Sequence, residues 1–212
     1  MHKEIFEFIK DYLEVNGGEI SNIGHFPFRK RSEHIRRVYM WAKRLVEDKS
    51  DINKEAVLVA ALFHDVGYAI SADGSLHAEY SANICKKYLM EHGFSPEFID
   101  EVTYLIINHS NKDLMTAKDA SLELILLMEA DLLDETGALS IVWDCMMEGS
   151  QNVQTFEKAY EHIREYSFKS LKSNPMITDK AIEFWQRKQS LMKEFVEHLS
   201  HDLGIQEDIF PD

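Results

Sequence analysis

Ala56-Val57-Leu58-Val59-Ala60-Ala61-Leu62-Phe63-His64-Asp65 is the stretch that decides how this chain is read. Eight apolar residues in a row have no polar face, so a helix built from them belongs in a core and not at a surface. The run ends on a histidine followed at once by a carboxylate. A buried carboxylate without compensation takes up a proton or destabilises the fold by roughly several kcal/mol. A bound metal cation removes that cost, and imidazole with carboxylate is a ligand mixture that divalent transition metals accept. His34 upstream and His109 and Asp131 downstream supply further candidate donors.

Working outward, apolar residues recur at three- and four-residue spacings along almost the whole chain, and strand-like alternation is scarce. The spacing predicts helices over residues 3–15, 33–47, 53–66, 76–92, 96–109, 121–134, 136–147, 155–171 and 178–203. Asn16-Gly17-Gly18, Gly67, Gly93 and Gly149 serve as stops, and Ser32 as a candidate cap. Ser95-Pro96-Glu97 is a strong start: a serine cap, proline in the first turn and an early acid. Gly24 with Pro27, and Ser71-Ala72-Asp73-Gly74, read as loops. In the last helix Ile182, Trp185, Met192, Phe195, Val196 and Leu199 form a stripe suited to core or dimer contact.

A chain of 212 residues fits one domain, and 45% hydrophobic with 28% charged residues is ordinary for a globular protein. The net charge of −14 argues against general nucleic-acid binding. A small phosphorylated substrate stays compatible with it, because a metal and a few basic residues offset the global charge locally. Cys85 and Cys145 are too few and too far apart for a disulfide framework or a thiolate zinc site, and both read as small buried thiols. Met1-His2-Lys3-Glu4 does not open a secretory signal, and no run is long enough to span a bilayer, so a cytoplasmic location is expected.

Individually, each candidate donor has a plain alternative. His34 shares a helical face with Arg37, Val38, Trp41 and Leu45 and, taken alone, reads better as a core histidine with a satisfied hydrogen bond; His109, on the face of Val102, Leu105 and Ile106, has the same ambiguity. Asp131 follows Leu124-Ile125-Leu126-Leu127-Met128 and reads as a buried ligand or a solvated end. Taken together, His34, His64-Asp65 and Asp131 on three apolar helical segments resemble the defining pattern of the HD-domain superfamily of metal-dependent phosphohydrolases. The surroundings resemble it too: Ala61 to Gly67, Asn108-His109-Ser110, and Glu129-Ala130-Asp131-Leu132-Leu133-Asp134. The likeness extends over about residues 25–150, and the helices at about 153–203 look like the tail of small stand-alone bacterial members.

The resemblance implies an all-α HD-domain helical bundle with additional C-terminal helices, one domain over residues 1–212. It maps His34, His64, Asp65 and Asp131 onto metal ligands, with His64 and Asp65 also at the catalytic centre. His77 and His109 fall in the order of the extra ligands of two-metal members, although His77 reads also as a surface or cap histidine. The implied cofactor is one or two divalent ions among Fe, Mn, Zn, Co, Ni and Mg. The implied partner is a small phosphorylated substrate of nucleotide type, and a homodimer is an open option. Arg37, one turn from His34, is placed to bind a phosphate oxygen; Arg29-Lys30-Arg31 is either solvated surface or an edge of the site. Gly67 is followed by Tyr68, not by the lysine of HD-GYP enzymes, and no Gly-Tyr-Pro triplet appears, which argues against cyclic di-GMP hydrolysis. Two rivals share the ligand set: a di-iron oxygenase, and a metal- or nucleotide-sensing module.

Overall fold

The structure is a computed structural model that describes residues 1–20, 29–70, 74–152 and 154–205. Gly24, Pro27 and Ser71-Ala72-Asp73 lie outside the described residues. Nine α-helices account for the described fold: α1 His2–Asn16, α2 Arg31–Val46, α3 Lys54–Phe63, α4 His77–Glu91, α5 Pro96–Asn108, α6 Leu122–Leu133, α7 Ala138–Gly149, α8 Phe156–His162 and α9 Asp179–Asp202. Among the described residues there is no strand, only an isolated antiparallel bridge between Ile20 and Lys30. No described helix is long and apolar enough to cross a membrane. The chain forms two compact units, Met1–Asp134 and Glu135–Asp212.

In the first unit α3 is the axis. Its apolar residues from Ala56 to Phe63 are buried except Leu58, and the helix packs on α2, α5 and α6 and touches α1 and α4. Asn53 caps it by accepting from the Ala56 amide at 3.1 Å, while its Nδ2 donates to Glu101 on α5 at 2.6 Å. The central helix is thereby tied at its entry and exits on His64 and Asp65 in the middle of the unit.

Three departures from the expected helices have physical causes. First, α2 starts at Arg31, so Ser32 lies inside the first turn and is not the cap. The capping acceptor comes from outside: Glu19 accepts the Ser32 amide at 3.1 Å and the Ser32 hydroxyl, and the Arg31 amide donates to the Glu19 carbonyl at 2.8 Å. Second, α3 stops at Phe63, and a 3-10 turn follows over Val66–Ala69. There the Gly67 amide donates to Ser81 Oγ at 2.8 Å, and a Cβ on Gly67 would stand 2.1 Å from the His77 carbonyl oxygen. Only a glycine lets this turn lie against the start of α4. Third, a 3-10 turn over Lys112–Thr116 occupies a stretch for which apolar spacing predicts nothing.

In the second unit, α8 widens into a π-helical turn over Ile163–Phe168 where one continuous helix is expected. Trp185, Met192 and Val196 of α9 are buried as their spacing predicts, while Ile182, Phe195 and Leu199 are half-buried. Gly137 precedes α7 with a φ of 68°, which strains any side chain, and a Cβ there would stand 2.9 Å from Lys188 Cγ. Cys85 is buried, whereas Cys145 is exposed, contrary to its reading as a buried thiol.

Candidate metal centre

Five separate pieces of the first unit deliver side chains to one place. The α2 helix carries His34; the C-terminal end of α3 carries His64 and Asp65; His77 is the first residue of α4; His109 follows α5; Asp131 and Asp134 stand in and just after the last turn of α6. Every position lies at or near a helix end, His34 in the first turn of α2 included. A broken α3 therefore matters: the turn at Asp65, with φ −114° and ψ 3°, moves its side chain out of the helical track.

All four histidines are oriented in the same way. The Nδ1 of His64 lies 2.9 Å from the Ala61 carbonyl, that of His77 2.6 Å from the Gly74 carbonyl, and that of His109 2.6 Å from the Ile106 carbonyl. The Nδ1 of His34 lies 2.8 Å from Asp134 Oδ2. A carbonyl or carboxylate oxygen only accepts, so each Nδ1 carries the hydrogen and each Nε2 turns a lone pair inward when the ring is neutral. Those Nε2 atoms meet in pairs: His34 with His64 at 3.2 Å and His77 with His109 at 3.3 Å. Ser110 Oγ lies 3.1 Å from His77 Nε2. Facing lone pairs at this separation repel unless a cation lies between them. The donor set therefore fits a metal ion, with the outer acceptors fixing each ring as metal-binding histidines require.

Asp65 links the two pairs. Its Oδ2 is 3.5 Å from His34 Nε2, while its Oδ1 is 3.4 Å from His77 Nε2 and 3.7 Å from both His64 Nε2 and His109 Nε2. Asp131 Oδ1 lies 3.5 Å from His34 Nε2 and 3.9 Å from His64 Nε2. Two groups of donor atoms, His34 with His64 and Asp131, and His64 with Asp65 and His109, each fit within 4.8 Å. These clusters can coordinate a divalent transition metal ion.

Each of the three carboxylates also has its own cation. Arg31 Nη1 is 2.6 Å from Asp65 Oδ2, Lys112 Nζ is 2.7 Å from Asp131 Oδ2, and Arg37 grips Asp134 through Nε at 2.8 Å and Nη2 at 3.0 Å. Burial alone would raise Asp65 and Asp131, yet His64, His109 and Arg31 act on the first, and Lys112 and His34 on the second. Both carboxyls end well below the usual range. Burial likewise opposes charge on His34, but Asp131, Asp134 and Asp65 outweigh it and lift that imidazole to about 10. His64, wholly enclosed, is pushed down by burial to about 4. The centre thus favours positive charge at His34 Nε2, which a proton or a metal ion can supply.

The structure brings His34, His64, Asp65, His77, His109 and Asp131 together. Arg37 lies on the expected face of α2, but its guanidinium is fastened to Asp134, and Arg31 is the arginine that touches Asp65. Of the basic cluster Arg29-Lys30-Arg31 it is Arg31 that reaches the site, through Asp65, while Asp134, Lys112 and Tyr68 also lie there without the sequence having given them a role. Tyr68 stacks on His77 with ring centroids 4.5 Å apart and carries the Arg31 guanidinium 3.9 Å from its own centroid. The available signals were faint: Asp134 is one turn beyond Asp131, and Tyr68 stands three residues past Asp65. His92 caps α4, with Nδ1 2.7 Å from the Tyr88 carbonyl, as its place beside Gly93 implies.

A profile of the HD domain matches residues 31–136. The chain belongs to the HD domain family of metal-dependent phosphohydrolases. No curated protein matches the chain. Solved structures with this fold include an HD-superfamily hydrolase from Bacillus thuringiensis, at 23% identity and TM-score 0.69, covering 97% of this chain and 97% of that one. A predicted HD superfamily hydrolase from an uncultured Thermotogales bacterium has 22% identity and TM-score 0.64, over 95% of this chain and 92% of that one. Bacillus subtilis YpgQ in complex with ADP has 22% identity and TM-score 0.64, over 95% and 94%. At such identities the likeness is one of fold.

Proposed function

We propose that this chain hydrolyses a small phosphorylated metabolite of the nucleotide class, with His34, His64, Asp65 and Asp131 as ligands of a divalent transition metal ion. His77 and His109 complete a second metal position that shares Asp65. The observation that carries this reading is the inward convergence of four Nε2 atoms whose Nδ1 atoms are all held from behind. A bound divalent metal supplies a Lewis acid that polarises a phosphoryl oxygen and acidifies water.

The protein's own groups do the rest. Asp65 stays ionised and faces both histidine pairs, which suits it to orient the attacking water. The water oxygen bonds to phosphorus, the bond to the leaving oxygen breaks, and the leaving oxygen takes the electron pair and a proton. The buried histidine walls hold bulk water away from the reacting phosphoryl, so positioning and electrostatics dominate the rate. A nucleotide as substrate is supported by the ADP seen in YpgQ, a relative in fold. The two free cysteines suit a reducing cytoplasm.

The test is a phosphoester screen with protein saturated in turn with Mn, Fe, Co, Ni, Zn and Mg. Nucleoside mono-, di- and triphosphates are the main arm, and an oxygen electrode is run beside it. Metal-dependent phosphate or pyrophosphate release supports the reading. Oxygen uptake with iron-loaded protein and no phosphate release overturns it in favour of the oxygenase, for which two adjoining histidine pairs around one carboxylate also provide.

A further inference from the structure

We propose that Arg31 and Lys112 form a two-cation clamp that makes the site prefer dianionic phosphoryl groups, as in monoesters and terminal phosphates, over the single charge of a phosphodiester. This rests on the phosphohydrolase reading above and adds the charge class of its substrate. Arg31 and Lys112 sit on the two carboxylates that flank His34: Arg31 on Asp65 at 2.6 Å and Lys112 on Asp131 at 2.7 Å. Lys112 is the more open of the two, with 32% of its side chain exposed; Arg31, at 16%, lies level with His34 at 13% and His77 at 11%, and His64 and His109 are enclosed at 0% and 3%. An anion arriving from solvent meets these cations before it meets His64 and His109.

Both are held ready. The Arg31 guanidinium lies over the Tyr68 ring, itself stacked on His77, while the Arg31 amide is tied to Glu19 at 2.8 Å. Lys112 opens the 3-10 turn that follows His109, so the chain that places that histidine also places the ammonium. Arginine has five N–H donors and lysine three, and among the described residues each side chain directs its hydrogen bond to one carboxylate. Further donors remain to meet phosphoryl oxygens. Arg37 differs, because both arms of its fork already lie on Asp134. In a chain of net charge −14, local cations must supply the attraction that the global field opposes. Two cations act on every substrate charge, so a second negative charge on phosphorus gains from both.

The experiment compares p-nitrophenyl phosphate with bis(p-nitrophenyl) phosphate in metal-loaded wild type, Arg31→Gln and Lys112→Gln. Inorganic phosphate serves as an inhibitor and as a calorimetric ligand. Each variant should lose about ten- to a hundredfold in kcat/KM on the monoester, with a much smaller loss on the diester. The monoester-to-diester ratio should therefore fall by about tenfold, and phosphate should bind more weakly by a similar factor. Metal content should match wild type. Equal losses on both esters, or unchanged phosphate binding in both variants, overturn the assignment. Arg31→Lys and Lys112→Arg read the same ratio if either glutamine variant fails to fold, the first giving an intermediate loss because the stacked fork is gone. Wild-type protein that holds metal yet turns over no phosphoester defeats the hydrolase reading, while calorimetry with phosphate still decides the clamp.

Discussion

Histidine and carboxylate meet in both halves of this molecule, with opposite results. In the first unit four histidines each give one nitrogen, Nε2, to a common interior. In the second, His162 spends both nitrogens on different partners: Nε2 lies 3.5 Å from Asp144 Oδ1 on α7, and Nδ1 lies 3.3 Å from Glu148 Oε1 one helical turn on. Ser167 donates its hydroxyl to the other oxygen of Asp144. That arrangement clamps α8 to α7 and leaves no shared focus for an ion. The carboxyls respond accordingly. Cations hold Asp65 and Asp131 below the usual range, whereas burial, the largest influence on Asp144, pushes that carboxyl up despite Ser167 and His162. Residue type alone does not make a metal site; the anchoring of the far nitrogen does.

The largest effects should come from breaking the first cluster. His64→Ala removes a donor common to both groups of donor atoms, and Asp65→Ala removes the carboxylate that faces both histidine pairs; in either variant phosphoester turnover should fall by at least about a hundredfold, measured with saturating metal. Asp134→Asn keeps every direct donor but weakens the acceptor that fixes His34 and Arg37. Metal affinity, read by chelator competition, should drop about ten- to a hundredfold. Unchanged affinity there would show that His34 needs no anchor. Gly67→Ala should destabilise the fold by about 1–3 kcal/mol or more in urea melts, since its Cβ meets the His77 carbonyl oxygen at 2.1 Å.

The smallest effects belong to the second cluster. Asp144 has a raised pKa in the folded state, so the native protein holds this proton more tightly than the unfolded chain. Its contribution to stability therefore falls as pH rises from the usual carboxylate value of about 4 through the raised one. Asp144→Asn should gain on wild type across that window in urea melts at stepped pH, while turnover stays within about twofold. A gap between the two proteins that is constant with pH would contradict the burial account.

Much of this architecture could be read directly from residue patterns. An apolar α3 with no polar face, Ser95 as a cap, and the isolated His64-Asp65 pair all act over a few residues, where periodicity is informative. Ser95 does accept the Phe98 amide at 3.3 Å, and Ser121, expected only as the first residue of its helix, accepts the Leu124 amide at 3.2 Å. The three cations were harder. Arg31 reaches Asp65 over 34 residues, Lys112 reaches Asp131 over 19, and Arg37 reaches Asp134 over 97. No helical spacing encodes such pairs, so Arg37 could be placed on the right face of α2 without its partner being visible. Glu19 was hidden for the same reason: a cap supplied from another segment leaves no mark beside the helix it closes. The exposure of Cys145 depends on which face α7 turns to its neighbours, which local composition does not specify.

The difference between the two clusters is that the convergent Nε2 atoms should hold a divalent ion and the superficially similar second cluster should not. Its most direct test is metal content by plasma mass spectrometry on wild type, His64→Ala and His162→Gln, all purified without chelator. We expect one or two transition-metal equivalents per chain in wild type, the same number in His162→Gln, and loss of at least one equivalent in His64→Ala. Metal-free wild type after reconstitution, or equal metal in His64→Ala and wild type, would contradict it.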